Sequence, residues 1–381
     1  MLDCFMFLET TTAPPASGEF EVRGWVISTA PVESCVVLGA PDTPLTPFPR
    51  PDVGQLHPRH AFASGFRGMV RRESLRDPWL EIRMERKGAN AWTALFPFPM
   101  KDSERRAVKE KKLARLADQL ACPSCGARLP YAGAGAKTIA CNRCGRDFPR
   151  TDSRLDFLPA DLREAFRIKS TLNVSSNVYD EVAQSLIGRH RDGLVLDCGA
   201  GSRALEYPNV VNYEIVDYPS TDVLGVNERL PFADETFDAV LSLAVLEHVK
   251  DPFQSAREIT RVLKRGGELY CVVPFLQPMH GYPHHYYNMT TSGLVNLFDG
   301  PMRIEERRVL DSGLPIWTLT WFLRSWVDGL SGAARERFLN ARVQDLIGEP
   351  VTYLKQDYVR GLTEEKNFEL ASSTMIMARK P

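Results

Sequence analysis

The segment GLVLDCGAGSRAL, residues 193–205, limits the possible folds more than any other part of the chain. LVLDC is a short apolar run of the kind that forms a strand buried on both faces of a parallel sheet. It ends in Asp197 and passes at once into Gly199 and Gly201, residues that let the backbone turn sharply and come close to a ligand. A strand followed by such a turn belongs to an open α/β sheet, where ligands collect at the carboxyl ends of the strands. The spacing is also GxGxxA, with Ala204 third, so a dinucleotide-binding Rossmann reading competes. Two acids bear on the choice. Asp197 stands directly before the glycines, where a carboxylate can pair with a ligand ammonium group; a pyrophosphate gains nothing from it. Glu214, in the next apolar run VVNYEIVDY, can accept hydrogen bonds from both ribose hydroxyls, a use common to both cofactor classes. The plainer readings are a helix cap for Asp197 and a surface acid for Glu214.

A chain of 381 residues holds two or three domains. Its apolar fraction of 44% and charged fraction of 25% are ordinary for a globular protein, and a net charge of −1 argues against a general nucleic-acid binder. The start, MLDCFMFLETTTAPP, lacks the basic region of a signal peptide, and no apolar run reaches the length of a membrane span. A cytoplasmic location follows as the expectation, and there the eight cysteines read as metal ligands or core residues rather than disulfides.

Residues 1–100 alternate apolar and polar positions in EFEVRGWVIS, SCVVLGA, WLEIRMERK and AWTALFPFPM, which predicts a β-rich accessory domain of sandwich type. PDTPLTPFPRPDV between them is too rich in proline for a helix or an inner strand. Residues 101–118 read as a charged helix, either an RNA-binding stripe or, as such runs usually are, a solvated linker. In 119–160 two CxxC knuckles, Cys122 with Cys125 and Cys141 with Cys144, lie fifteen residues apart. Each knuckle aims two sulfurs at one point, and tetrahedral zinc needs two such pairs. Four thiolates leave no open position, so the predicted zinc is structural. From 161 to 381 strands alternate with helices, the pattern of an α/β domain with a mainly parallel sheet.

VLDCGAGS, followed by LPFADETFDAVLSLAVLEHVKDPFQSAREITRVLKRGGELYCVVPF, resembles the class I S-adenosylmethionine-dependent methyltransferases of the small-molecule (type 11) group over about 170–300. The final stretch STMIMARKP matches more loosely, as a last strand. The cysteine segment resembles zinc ribbons fused to or partnered with such enzymes. The GW and RPDV elements of the first hundred residues resemble accessory β-domains beside bacterial surface-glycan enzymes. The resemblance implies a Rossmann-like sheet and S-adenosyl-L-methionine as cofactor. It places Asp197, Gly199 and Gly201 at the methionine part, Glu214 at the ribose and Leu243 along the cofactor. Where relatives carry an acid before LPF, this chain has Val226 with Asn227 beside it, so Asn227 takes the adenine contact.

The resemblance makes ELYCVVPF the fifth strand, so PFLQPMHGYPHHYYNMT, residues 274–290, leaves its carboxyl end and contributes to the acceptor pocket. Methyl transfer requires the acceptor to be aligned and water excluded. A hydroxyl acceptor also needs a base, which histidine suits at neutral pH. His280 and His285 are candidates; His248 reads either as a scaffold group or as a catalytic one. Tyr282, Tyr286 and Tyr287 supply walls for a sugar or aromatic acceptor. Packing alone, and a divalent ion held by the histidines, are the competing readings, the latter lacking an evident carboxylate ligand. GLPIWTLTWFLRSWVDGL, residues 313–330, begins a helical insertion running to about 366 and is compatible with a lid, a dimer contact or peripheral membrane contact.

The reading that joins these parts is methyl transfer to an oxygen of a small molecule, of sugar or glycan-precursor type. An rRNA methyltransferase, a non-catalytic cofactor-sensing scaffold and a nicotinamide dehydrogenase are the alternatives.

Overall fold

The computed structural model describes the chain apart from residues 1–3, 11–17, 58–59, 76–78, 99, 131–134, 152, 166–167, 169–177, 282–283, 376, 378 and 380–381. Two units emerge, one from 1–245 with 253–272 and the other from 246–252 with 273–381.

The first unit opens with β1 (Cys4–Leu8), β2 (Glu19–Ser28), β3 (Val32–Val37), β4 (Thr43–Pro49), the short helix α1 (Pro51–Leu56), β5 (Phe62–Arg71), β6 (Trp79–Arg86) and β7 (Ala89–Pro97). The strands form one antiparallel sheet in the order β1-β2-β5-β4-β3-β6-β7. The expected sandwich is therefore corrected to a single, nearly closed sheet. Alternation explains its core: Val22, Val26, Phe66, Val70, Leu80, Ile82, Met84 and Phe96 point inward and are buried, while their chain neighbours face outward. The proline-rich stretch is also corrected, since it supplies both an inner strand and a helix. β4 pairs through Thr43, Pro44 and Leu45 with β3, and through Thr46 to Pro49 with β5. The two ladders are staggered, so no proline of β4 faces a partner on both sides, and one missing N–H is tolerated. Pro51 then starts α1 at the first turn, where its lost donor costs nothing.

Helix α2 (Asp102–Arg115) is not a solvated linker. Lys112 is fully buried, with its ammonium group on Glu206, on Asp222 Oδ2 at 2.6 Å and on the Val210 carbonyl at 2.7 Å. Lys109 donates to the carbonyls of Thr221 at 2.6 Å and Pro219 at 2.9 Å. One face of the charged helix is thus fastened to the α/β sheet and the other is left to solvent.

The cysteine segment contributes β8 (Thr138–Ala140), β9 (Asp147–Thr151) and β10 (Arg154–Asp156), followed by α3 (Ala160–Ala165). Then come α4 (Glu181–Arg189), β11 (Val195–Cys198), β12 (Val210–Glu214), β13 (Val223–Leu224), β14 (Phe237–Leu243), α5 (Pro252–Val262) and β15 (Leu263–Val272). The strands β8 to β15 form one eight-stranded sheet, ordered β15-β14-β11-β12-β13-β10-β9-β8. β10 to β15 run parallel where they pair, as the buried apolar runs predict, and β10 joins β13 through Leu155 beside Val223. The ribbon strands thereby extend the Rossmann-like sheet at one edge. The domain boundary expected between the two is a boundary of sequence pattern only.

The second unit holds α6 (Thr291–Phe298), α7 (Pro315–Asp328), α8 (Gly332–Leu339), α9 (Asp357–Arg360) and α10 (Glu364–Leu370). Trp326 stacks on Phe338 at 5.2 Å and donates to the Tyr358 carbonyl, which ties α7 to α8 and α9. No residue of α7 is buried. The expected last strand does not form among the described residues of 373–381. Among the described residues no helix is long and apolar enough to cross a membrane.

Candidate active site

The glycine loop sits at the carboxyl end of β11, the position its sequence predicts. Gly199 has φ +79°, and a Cβ there would meet the Val245 side chain at 2.6 Å, so both conformation and space demand glycine. The Gly199 amide bonds to the Tyr213 carbonyl at 2.8 Å, and the Gly201 amide donates to Glu214 Oε2 at 2.8 Å. Glu214 Oε1 accepts from the amides of Ile215 and Val216. Burial pushes its carboxyl up from the ordinary range, and these three amides oppose that shift. Glu214 is thus fixed on the glycine loop rather than free at the surface, with lone pairs left for further donors.

Asp197 is fully buried. Tyr179 donates its hydroxyl to Oδ2 at 2.5 Å, and Arg203 reaches the same oxygen through Nη2 at 2.8 Å and Nε at 3.2 Å. The guanidinium carbon lies 4.0 Å from the centre of the Tyr179 ring. Asp197 is therefore neither a helix cap nor an isolated anion. Its charge is matched inside the protein, and only Oδ1, which has no partner, remains for a ligand donor. Sequence reasoning missed Tyr179 and Arg203. Arg203 stands in the quoted GAGSRAL, but nothing in the spacing turns it back onto Asp197.

Asn227 is buried just beyond β13, and its neighbour Val226 gives its carbonyl to the Tyr213 hydroxyl at 2.9 Å. Leu243 ends β14 and is followed by Ala244 at φ +56°, a left-handed conformation uncommon for alanine. Asp238 has a structural place: it accepts from the Leu194 amide and from Lys264 Nζ, at 2.8 and 2.9 Å. The residues assigned to a cofactor thus lie at or just beyond the carboxyl ends of β11, β12, β13 and β14. The unpartnered Asp197 oxygen and a glycine loop with no room for a side chain fit a ligand with an ammonium group and a backbone-hugging chain.

The four cysteines converge. One sulfur from each of Cys122, Cys125, Cys141 and Cys144 lies within 4.8 Å of the others. Gly126 and Gly145 adopt φ +72° and +70°, which closes each knuckle. The Cys144 and Arg143 amides pull the Cys141 thiol down to about 6, while burial pushes Cys122 up to about 12.

The histidines assemble in the second unit, joined by a residue the sequence reading passed over. His248, His280 and His285 pack edge to face, with ring centres 4.5–5.5 Å apart. His284 turns away to Tyr286. His285 accepts from the His280 amide at Nδ1 (3.0 Å) and so donates from Nε2 to Asn288 Oδ1 (2.8 Å). Both its nitrogens are engaged, which removes it as a base and makes it a support for His280. The Nδ1 atoms of His248 and His280 face the carbonyls of His284 (2.7 Å) and Pro278 (2.9 Å). A carbonyl only accepts, so each Nδ1 carries the proton and each Nε2 a lone pair. Burial lowers both imidazoles, His248 to about 4. Beside them Glu247 is fully buried, its carboxyl pushed up to about 8 by that burial. Tyr286 and Tyr287 are exposed, and Tyr282 lies outside the described residues.

Residues 198–271 match the profile of a family described as "Methyltransferase domain". An uncharacterized protein of Methanocaldococcus jannaschii is 33% identical over 127 residues, covering 28% of this chain and 53% of that protein. An uncharacterized methyltransferase of Schizosaccharomyces pombe is 41% identical over 63 residues, covering 16% and 23%. The chain thus spans about half the length of the first of these relatives and less of the second. Among solved structures, a Thermotoga maritima S-adenosylmethionine-dependent methyltransferase described as a possible histamine N-methyltransferase is similar at 20% identity and a TM-score of 0.23, over 30% of this chain and 67% of that one. Gly199, Gly201, Glu214, Asn227 and Leu243 all lie within the segment, residues 198–271, that is similar to the methyltransferase profile, and Asp197 directly precedes it.

Proposed function

We propose that this protein transfers a methyl group from S-adenosylmethionine to an oxygen of a small molecule of sugar or glycan-precursor type. The observation that carries the reading is the buried Asp197 with one unpartnered oxygen, set before a glycine loop inside the methyltransferase segment. In this reading Asp197 Oδ1 takes the ammonium group of the cofactor, Glu214 the ribose hydroxyls and Asn227 the adenine amino group. The bound cofactor supplies a methyl group already activated by its sulfonium. The protein orients the acceptor and excludes water. In this reading the histidine loop contributes to the acceptor's surroundings, with Nε2 of His280 or His248 as the atom that would receive a hydroxyl proton. Zinc on the four cysteines would hold the two knuckles of the ribbon together at the edge of the sheet.

The test is incubation with S-adenosylmethionine and a panel of free and nucleotide-linked sugars, read by mass spectrometry of the products. One added methyl on a sugar oxygen, with S-adenosylhomocysteine released in equal amount, supports the reading. Transfer to RNA alone would replace it with the nucleic-acid alternative, and cofactor binding without any turnover on either class would favour the scaffold.

A further inference from the structure

We propose that Glu247, His248 and His280 form a second metal centre in this chain, one for a divalent transition ion of the zinc class. One ligand atom from each lies within 4.8 Å of the other two, and Glu247 Oε1 is 3.7 Å from His248 Nε2. What makes the cluster a site is its hydrogen-bond arithmetic. The two carbonyls fix both imidazoles with Nδ1 protonated, so Nε2 of His248 and of His280 can only accept. Neither oxygen of Glu247 has a partner, although the side chain is wholly buried. At 3.7 Å Glu247 Oε1 is too far from His248 Nε2 for a hydrogen bond, so a buried carboxyl with two unpartnered oxygens meets two imidazole lone pairs and is satisfied by neither, an arrangement that a cation between them resolves.

The surroundings are those of metal-bound imidazoles, which donate their second nitrogen to a carbonyl that sets tautomer and ring angle. His285 adds support by holding the His280 amide and spending its own second nitrogen on Asn288. Gly281 completes the wall: at φ +85° it lies so close that a Cβ would stand 2.2 Å from His248 Cε1.

Ligand chemistry narrows the ion. Two imidazoles and one carboxylate suit zinc, cobalt, nickel or iron, not calcium or magnesium, which take oxygen. Tetrahedral ligands at about 2.1 Å from zinc stand about 3.4 Å apart, so a modest contraction closes the set. Three protein ligands leave at least one position open to water or to an oxygen of a bound small molecule, unlike the closed four-thiolate site. The inference concerns metal binding and stands or falls independently of the acceptor. Where both hold, the Nε2 lone pairs are ligands and not free bases.

The test is cobalt loading of the full chain, read by elemental analysis and absorption. Two ions per chain are expected, one for each cluster. His280→Ala and Glu247→Gln should each reduce the count to one and leave the cobalt–thiolate charge-transfer band of the ribbon unchanged, which also shows that the variants are folded. His284→Ala, which keeps its backbone carbonyl, should retain two. A single ion in the unaltered protein, two ions in both His280→Ala and Glu247→Gln, or an equal loss in His284→Ala would each overturn the proposal.

Discussion

Asp197 links the chemistry of the candidate site to the stability of the fold. Its Oδ2 takes both the Tyr179 hydroxyl and the buried Arg203 guanidinium, so the carboxylate cannot be removed without breaking a buried ion pair. Asp197→Asn should therefore destabilise the protein by about 3–5 kcal/mol, a loss read as a lower urea midpoint with unchanged slope. A value within about 0.5 kcal/mol, typical of surface changes, would show that the pairing is not formed. Glu214 makes a sharper case. Its two oxygens accept three backbone amides, and the NH2 of Gln in place of one oxygen would face a donor. Glu214→Gln should cost about 1–3 kcal/mol in the same measurement, although size and shape are kept.

At the level of elements, α2 gives a contrast within one helix. Lys112→Met takes the cation from Glu206 and leaves Asp222 with Lys109 alone, at 3.8 Å, and should cost about 3–5 kcal/mol, whereas Lys111→Met on the exposed face should stay within about 0.5 kcal/mol. Equal costs in thermal or urea melts would show the helix to be a solvated linker after all. The RPDV element acquires a physical role of the same local kind: Arg50 bridges Glu9 at 2.6 Å and Asp52 at the start of α1. The Asp52 carboxyl is held below 3.8 by that guanidinium, so its contribution is present above pH 3.8 and is lost as pH falls through its folded-state value. Asp52→Asn should remove that part of the acid dependence of melting; an unaltered acid limb would contradict it. These elements also show what the sequence disclosed. The strands of the first hundred residues and the ribbon were legible because alternation and CxxC spacing are local signals. The inner place of β4, the docking of α2 and the return of Arg203 onto Asp197 were not, because each depends on a partner far along the chain. Glu247 was in view within LEH, but only folding brings it beside His280.

In the whole molecule, the three segments read from the sequence share more structure than their motifs suggest. The ribbon strands continue the α/β sheet beyond β13, and the backbone at Gln119–Ala121 pairs with Pro231–Ala233. Zinc on the four cysteines should then stabilise this edge of the sheet as well as the ribbon. Chelation should lower the melting temperature of the first unit as a whole, and a ribbon that unfolds alone, with the remaining transition unmoved, would contradict that coupling. In the proposed function, the loop after β11 serves S-adenosylmethionine rather than a dinucleotide. Titration calorimetry of the full chain with S-adenosylmethionine and, separately, with NADH tests it most directly. Saturable one-to-one binding of S-adenosylmethionine with no heat from NADH is the predicted result; binding of NADH alone would contradict the account.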